Sequence, residues 1–259
     1  MKKIYSILLV LVLAFSMLVG CGNKTSKTFT VGFDAEFPPY GFMDENGEYV
    51  GFDLDLATEV CKRNDWTLVK QPIDWDAKDM ELSSGTIDCI WNGFTINGRE
   101  DSYTWSSPYV DNSQVFVVSD TSIVTFDDLS GKNVGVQKDS SALAAINSEE
   151  NMDLASSFNE LIEYSNYNVA FMDLEAGAID ALAIDIGVAN FQLSSREGFS
   201  ILETQLATEQ YGIGFLLGNE ELRDQVEATL MEMVDDGTFA EIANTYADYG
   251  LVESICLGK

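Results

Sequence analysis

The 259-residue chain contains no histidine, and only 14 of its residues are lysine or arginine. Without histidine, Ser-His-Asp catalysis, Cys-His catalysis and every histidine-ligated metal site are excluded. Aspartate and glutamate number 43, so the formal net charge is −29. Such an acidic surface repels phosphate backbones and anionic lipid headgroups. The composition therefore argues against nucleic-acid binding and against electrostatic docking on a membrane.

One apolar run of nearly membrane length lies at the amino terminus, at residues 4–19, after two lysines. Its length and flanks are typical of an export signal rather than of a spanning helix. The run ends in Leu-Val-Gly-Cys21, which resembles a bacterial lipobox. We expect residues 1–20 to be a lipoprotein signal peptide, Cys21 to be lipidated on the outer face of the cell membrane, and residues 21–27 to form a flexible tether. An ordinary secretory signal with an incidental cysteine is the alternative.

Three further cysteines follow, Cys61, Cys89 and Cys256. Cys61 and Cys89 fall within apolar patterns, which favours buried free thiols over a disulfide between them but leaves the disulfide open. No Cys-x-x-Cys pair or other metal-ligand spacing occurs. We expect neither a metal ion nor a cofactor.

Hydrophobic periodicity predicts two consecutive α/β units. The predicted strands are 28–33, 67–71, 87–91, 115–118, 133–137, 181–184 and 211–217. The predicted helices are 53–63, 77–84, 140–147, 167–177, 188–194 and 220–235. An Asn-Gly pair at 46–47 predicts a hairpin turn between 41–43 and 49–52. The alternation of strands and helices predicts a parallel α/β sheet.

Ten short segments carry a resemblance that none of them carries alone. They are residues 33–42, 50–56, 73–75, 85–88, 93–99, 107–109, 134–137, 179–185, 210–213 and 237–238. In this order and spacing they resemble the polar amino-acid-binding proteins of ABC importers, which are extracellular solute-binding proteins. The resemblance implies a type II periplasmic-binding-protein fold, in which two α/β lobes joined by two crossover strands close on a ligand.

Mapped on this chain, the resemblance places lobe one at 28–110 plus 212–259 and lobe two at 115–207. The hinges are expected near 110–114 and 208–211. A ligand would lie between the lobes, beyond the carboxyl ends of the strands.

A free amino acid carries a carboxylate and an ammonium, and each needs a partner when it is buried. The resemblance implies that Arg99 and the Thr95 N–H hold the carboxylate, helped by the helix start at Ser140 and Ser141. The alternatives are a surface ion pair for Arg99 and an ordinary helix cap for the serines. The family usually has one more residue between its threonine and arginine than this chain has.

For the ammonium, the resemblance implies the Gly93 carbonyl and the Asp185 carboxylate. Asp185 directly follows the apolar strand 181–184. The alternatives are a helix cap for Asp185 and a plain bend for Gly93.

Aromatic residues and a few polar ones would surround the side chain of the ligand. Phe37, Tyr40 and Trp75 resemble the aromatic walls of the family, although core packing is the common role of such residues. The candidates for selecting the side chain are Asp34, Gln137, Glu36 and Asp76. Since these include several acids, a dicarboxylic ligand is disfavoured. A neutral polar ligand such as glutamine, asparagine or cystine is favoured, and a basic one is left open.

The predicted function is non-catalytic. The protein, a monomer, would capture an extracellular amino acid and deliver it to ABC permease subunits. Two alternatives use the same fold. One is an enzyme, a dehydratase or a peptidoglycan lyase, for which Glu36 is the candidate general acid. The other is a sensory ectodomain, which should continue into a membrane span.

Overall fold

The computed structural model describes residues 26–259. The expected signal peptide, the lipobox with Cys21 and most of the tether lie outside the described residues. Within 26–259, no helix is both long and apolar enough to span a bilayer.

Strands and helices alternate along the chain. The first elements are β1 (Thr28–Phe33), β2 (Glu36–Phe37), β3 (Gly41–Met43), β4 (Tyr49–Val50), α1 (Phe52–Arg63), β5 (Thr67–Pro72), α2 (Lys78–Ser84), β6 (Cys89–Thr95) and β7 (Thr104–Trp105). The middle elements are β8 (Val110–Val118), β9 (Asn133–Gln137), α3 (Ser141–Ile146), α4 (Met152–Ser157), β10 (Glu160–Tyr164), α5 (Tyr167–Ala176), β11 (Ala181–Asp185), α6 (Ile186–Leu193), β12 (Ser200–Ile201) and β13 (Ala207–Phe215). The last elements are α7 (Glu220–Asp235), α8 (Thr238–Asn244) and α9 (Leu251–Ser254).

Helix α1 shows how the local sequence produces these elements. Leu54, Ala57 and Val60 recur at helical spacing and are buried on one face against the sheet. Acidic residues lie in its first turn and Lys62 and Arg63 in its last turn, which complements the helix dipole at both ends.

Two long strands connect the halves of one continuous sheet, whose order is β10-β9-β11-β8-β13-β6-β1-β5. Strands β8 and β13 pair with each other over residues 110–114 and 207–211. Beyond that stretch β8 continues beside β11, whereas β13 continues beside β6. Strands β8 and β13 therefore lie side by side and connect the two lobes.

The sheet differs from the predicted parallel one in its centre. The pairs β1–β5, β1–β6, β9–β10 and β9–β11 are parallel, but β8 and β13 run antiparallel to their neighbours. Mixed sheets of this kind are common in α/β proteins. The antiparallel pairing of β8 and β13 follows from the connectivity, since β8 carries the chain from the first lobe to the second and β13 carries it back.

The predicted hairpin is present, with Phe42 opposite Val50 and a left-handed Gly47 in its turn. Strands β8 and β13 begin earlier than predicted, because their first residues are polar and resemble a loop. Strand β10 was not anticipated, because its polar, half-exposed pattern is that of an edge strand. Cys61 and Cys89 are buried free thiols, as the favoured interpretation expected.

Candidate functional site

Residues from both lobes enclose one small cavity. Its lining residues are Phe37, Trp75, Asn92, Gly93, Thr95, Gln137, Ser140, Ser141 and Asp185. Among these, Asn92 is absent from the sequence-based candidates. The enclosed space is about 10 Å³, which is room for about one water molecule. The lobes must therefore separate before a larger molecule can enter.

Asp185 lies at the carboxyl end of β11 and is 4% exposed. It occupies the N-cap position of α6, but its side chain makes no capping bond. Instead, its Oδ1 accepts hydrogen bonds from Asn112 Nδ2 at 2.8 Å, from Gln114 Nε2 at 2.6 Å and from the Tyr211 hydroxyl. Burial, and next the nearby Glu209 carboxylate, raise the pKa of Asp185 to about 7.

Glu209 is a second buried carboxylate next to Asp185, and sequence reasoning missed it. Its Oε1 accepts hydrogen bonds from Asn112 Nδ2 at 2.7 Å, from Gln114 Nε2 at 2.8 Å and from Thr95 Oγ1 at 2.8 Å. We call Asn112, Gln114, Asp185 and Glu209 the hinge-side wall. The spacing of two between Asn112 and Gln114 on β8 is the signal that could have revealed part of it, since residues i and i+2 of a strand share a face.

Thr95 links the two lobes. Its hydroxyl lies 2.8 Å from Ser141 Oγ across the cleft. The neighbouring Ser140 caps α3, because its Oγ accepts the Leu143 N–H at 3.2 Å, and it also donates to Gln137 O at 2.7 Å. In this conformation Ser140 therefore makes the contacts of an ordinary helix cap.

Gly93 is required by the close packing of its surroundings. Its φ is 55°, and a Cβ there would lie 2.9 Å from Phe37 and 3.0 Å from Tyr211. Its N–H donates to Asp53 Oδ2 at 2.6 Å, and the Tyr109 hydroxyl donates to the same oxygen at 2.8 Å. Burial raises the pKa of Asp53 to about 7. Asp53, which fixes the backbone of Gly93, is another residue that sequence reasoning missed.

Aromatic side chains cross the cleft beside the cavity. Phe37 packs against Tyr167 of the other lobe at 5.9 Å between ring centroids, and Tyr40 packs edge-on against Tyr211 at 5.2 Å. The Tyr40 hydroxyl also reaches the start of α6, where a Cβ on Gly187 would lie 2.4 Å from it. Closure of the lobes at this point therefore depends on the absence of a side chain at Gly187. Trp75 packs edge-on against Phe94 at 5.5 Å.

Asp34 and Gln137 meet across the cleft as a polar pair. Gln137 Nε2 donates to Asp34 Oδ2 at 2.8 Å, and the Asp34 N–H donates to Asn92 Oδ1 at 3.0 Å. Burial raises the pKa of Asp34 to about 6. Glu36 lines a separate pocket beyond Trp75, and the other acids of that pocket are Asp34, Asp74 and Glu81.

Arg99 is not brought into the cavity with Asp185. Strand β6 ends at Thr95, and Gly98, with φ of 79°, turns the chain so that Arg99 lies back over Phe94. The guanidinium is 5.2 Å from the Phe94 ring, and its Nη1 donates to the Thr95 carbonyl at 3.2 Å. The guanidinium therefore contacts the backbone of a cavity residue from the neighbouring pocket that it shares with Lys78.

Two ion pairs join the lobes at what we call the cleft rim, namely Asp76, Lys78, Lys138 and Asp139. Lys78 pairs with Asp139, and Lys138 pairs with Asp76 at 2.5 Å. Lys78 is buried and lies 5.1 Å from the Trp75 ring, so it is a cation at the edge of the cavity that sequence reasoning missed. Asp139 has φ of 55°, a left-handed conformation that aspartate adopts more readily than most residues.

The described residues hold no cluster of three or more histidine, cysteine, aspartate or glutamate side chains arranged to bind a metal ion. The site is thus built from carboxylates, amides, hydroxyls and aromatic rings. Its buried, acidic hinge-side wall is suited to a ligand that brings a positive charge.

Comparison with known proteins gives one consistent result. Residues 29–249 match the family described as bacterial extracellular solute-binding proteins, family 3. The lysine/arginine/ornithine-binding periplasmic protein of Escherichia coli (strain K12) is 28% identical over 257 residues, which cover 93% of this chain and 97% of that protein.

Solved structures of amino-acid-binding proteins have a similar fold. A substrate-binding protein of an ABC uptake transporter from Streptococcus pneumoniae, with bound histidine, has a TM-score of 0.80 and 35% identity over 85% of this chain and 92% of that one. An ancestral arginine-binding protein bound to glutamine has a TM-score of 0.77 and 35% identity over 85% of this chain and 97% of that one. The structure of an ancestral arginine-binding protein with arginine gives a TM-score of 0.77 and 34% identity, over the same shares of the two chains.

Proposed function

The chain belongs to family 3 of the bacterial extracellular solute-binding proteins, and from this premise we propose that it binds a free amino acid between its lobes for ABC import. The family and its relatives are substrate-binding proteins rather than enzymes. The observation that carries the proposal is the buried Asp185 carboxylate, which lines an interlobe cavity and receives only neutral donors from the described residues. An amino-acid ammonium supplies the missing charge.

The α-carboxylate of the ligand needs a cation of its own. We propose Arg99 for this role, as the resemblance implies, because its guanidinium already bonds to the backbone of Thr95. Separation of the lobes would give it access to the cavity from the pocket where it lies. Lys78 is the second candidate, since it is buried at the cavity edge beside Trp75.

For the side chain of the ligand we propose a neutral polar group, such as that of glutamine, asparagine or cystine. The amide of Gln137 can donate and accept, and the Asp34 carboxyl beside it can accept from an amide N–H. A basic side chain is the second candidate, favoured by the acids that line the pocket beyond Trp75. A ligand with an acidic side chain is disfavoured by repulsion from the same groups.

A ligand panel tests the proposal. We expect glutamine, asparagine, cystine, arginine, lysine or histidine to raise the melting temperature, since a ligand that binds only the folded state stabilises it. Calorimetric titration then ranks glutamine against arginine and glutamate. Tighter binding of glutamate than of glutamine would overturn the side-chain assignment, and no binding of any amino acid would overturn the function.

The anchoring of the protein is a separate proposal. We propose that Cys21 is diacylated, that the folded domain stays on the outer face of the cell membrane, and that it acts there as a monomer beside its permease. In cells, Cys21→Ser should release the protein from the membrane fraction, and intact-mass spectrometry should find acyl chains on the wild type alone. Cys256→Ser is the matched control and should stay membrane-bound.

A further inference from the structure

The hinge-side wall carries two buried carboxylates but no cation. Asp185 and Glu209 are 4% and 7% exposed, and none of the ion pairs among the described residues includes either of them. Two like charges buried this close are costly unless a proton or an external cation is present.

The two amides of the wall are oriented entirely towards these carboxylates. Asn112 Nδ2 and Gln114 Nε2 each donate to both Asp185 Oδ1 and Glu209 Oε1. As a result Asn112 Oδ1 and Gln114 Oε1 are buried without a hydrogen-bond partner. Leaving an amide oxygen unpaired is unfavourable. The two amides are therefore oriented so that their N–H groups, rather than their oxygens, face the negatively charged oxygens of Asp185 and Glu209.

From this geometry we infer that Glu209 is a positioning residue of the ligand site, which together with Asp185 holds one proton that the ammonium of the ligand displaces. This inference rests on the proposed amino-acid function and adds a residue and a proton to it. The proton of the pair is released to solvent, and the ligand ammonium, which keeps all of its own protons, takes its place. Glu209 acts through Thr95, Asn112 and Gln114 and does not itself line the cavity.

The groups around Asp185 are otherwise neutral. Tyr167 of α5 and Tyr211 of β13 donate their hydroxyls to it, and Tyr40 packs against Tyr211. Burial raises the pKa of all three tyrosines far above the usual value, so they stay uncharged at physiological pH. Glu209 is therefore the nearest group whose charge can set the protonation of Asp185, which agrees with the raised pKa of Asp185.

The inference predicts a dependence of affinity on pH. Since the ammonium binds the form of Asp185 that has lost its proton, affinity should fall about tenfold from pH 8 to pH 6. In Glu209→Gln the repulsion is absent, so Asp185 ionises at lower pH and this dependence should nearly vanish. Affinity at pH 8 should drop about tenfold, because one of the two negative charges is lost.

Calorimetric titration of the full chain with L-arginine and L-glutamine, at pH 6 and pH 8, tests this. Buffers of different ionisation heat report the protons released, and we expect one per wild-type ligand at pH 6. Glu203→Gln, an exposed residue near the start of β13, is the matched control and should behave as wild type. Equal pH dependence in Glu209→Gln and in wild type would overturn the inference, even if affinity changes.

A second measurement separates this inference from the proposed function. Carboxyl ¹³C NMR titration of Asp185 needs no ligand, and Glu209→Gln should lower its pKa. An unchanged pKa would overturn the inference even if amino acids bind. Conversely, a lowered pKa in a protein that binds neither L-arginine nor L-glutamine would support the proton-sharing pair and contradict the function.

Discussion

The hinge-side wall and the cleft rim both carry carboxylates, yet their surroundings change the pKa values in opposite directions. Burial raises the pKa of Asp185, whereas the hydrogen-bonded Lys138 ammonium lowers the pKa of Asp76. At the rim the protein supplies its own cations, but at the wall it supplies neutral donors alone. The rim ion pairs therefore join the lobes in this conformation, whereas the carboxylates of the wall have no cation among the described residues.

The largest expected effect concerns Arg99 and Lys78, the two cations that line the pocket next to the cavity. Arg99→Ala should weaken amino-acid binding about 100-fold, because the α-carboxylate loses a charged donor. Lys78→Met should weaken it by about tenfold or less, since Lys78 is already paired with Asp139. Calorimetric titration measures both. Arg196→Ala, which removes an ion pair with Glu175 elsewhere, is the control. The reverse order of effects would assign the carboxylate to Lys78 and make the rim part of the binding site.

Closure beside the wall can be obstructed without changing a charge. In Gly187→Ala the new methyl group should collide with the Tyr40 hydroxyl and weaken ligand binding about tenfold, because the lobes cannot close fully. The double variant Gly187→Ala with Tyr40→Phe lacks that hydroxyl and should recover most of the affinity. Small-angle X-ray scattering should find the single variant more open at saturating ligand. Failure of the double variant to recover would show that the contact does not limit closure.

Buried acids at the wall and beside it should make the ligand-free protein less stable as pH rises. The raised pKa values of Asp34, Asp53 and Asp185, about 6 to about 7, mean that the folded state holds these protons more tightly than the unfolded chain. The stability that they provide is present at low pH and is lost as pH rises through the folded values. Between pH 5 and pH 8 the melting temperature should fall by about 10 °C or more.

Calorimetry or a thermal-shift assay without added amino acid measures this decrease. Asp185→Asn should reduce the slope, because asparagine does not ionise. Asp76→Asn should leave the slope between pH 5 and pH 8 unchanged, since the pKa of Asp76 is lowered and lies below that window. Equal slopes in wild type and Asp185→Asn would contradict the assignment of a buried proton to the wall.

The smallest expected effect is at the rim. Lys138→Gln removes an exposed ion pair with Asp76, and it should weaken ligand binding by about twofold, because such pairs contribute less than about 1 kcal/mol. Added salt should weaken the wild type by a similar factor and the variant by less. Lys62→Gln, which removes an exposed pair within α1, is the control and should leave the affinity unchanged. A loss of affinity of more than tenfold in Lys138→Gln would show that the rim contributes as much to ligand binding as we expect of the wall.

Sequence reasoning placed the wall and the rim with unequal success. Asp185 was named through the resemblance to the solute-binding family, and its place in the sequence agrees with that role, because an uninterrupted apolar strand ends immediately before it at the edge of the sheet. Thr95 and Gln137 were candidates too, and they lie at the ends of β6 and β9. The crossover residues Asn112 and Glu209 were missed because polar residues on a connecting segment resemble surface loop.

Arg99 and Lys78 show a different limit. The sequence identified the shortened loop before Arg99, but the direction in which the guanidinium points depends on a turn at Gly98 and on the Phe94 ring. Lys78 lies at the start of a short helix, where a lysine is normally solvated. Here it is buried, and it contacts both the Trp75 ring of its own lobe and Asp139 of the other lobe. Contacts across a cleft leave no pattern in local sequence.

The proposed role of Asp185 is to bind, through its carboxylate, the ammonium of an amino acid held between the lobes. Titration calorimetry can compare wild type, Asp185→Asn and the exposed control Asp235→Asn, with L-glutamine and L-arginine at pH 8. We expect Asp185→Asn to weaken binding by at least about 30-fold and the control to equal wild type. Wild-type affinity in Asp185→Asn for the amino acid that binds would contradict it.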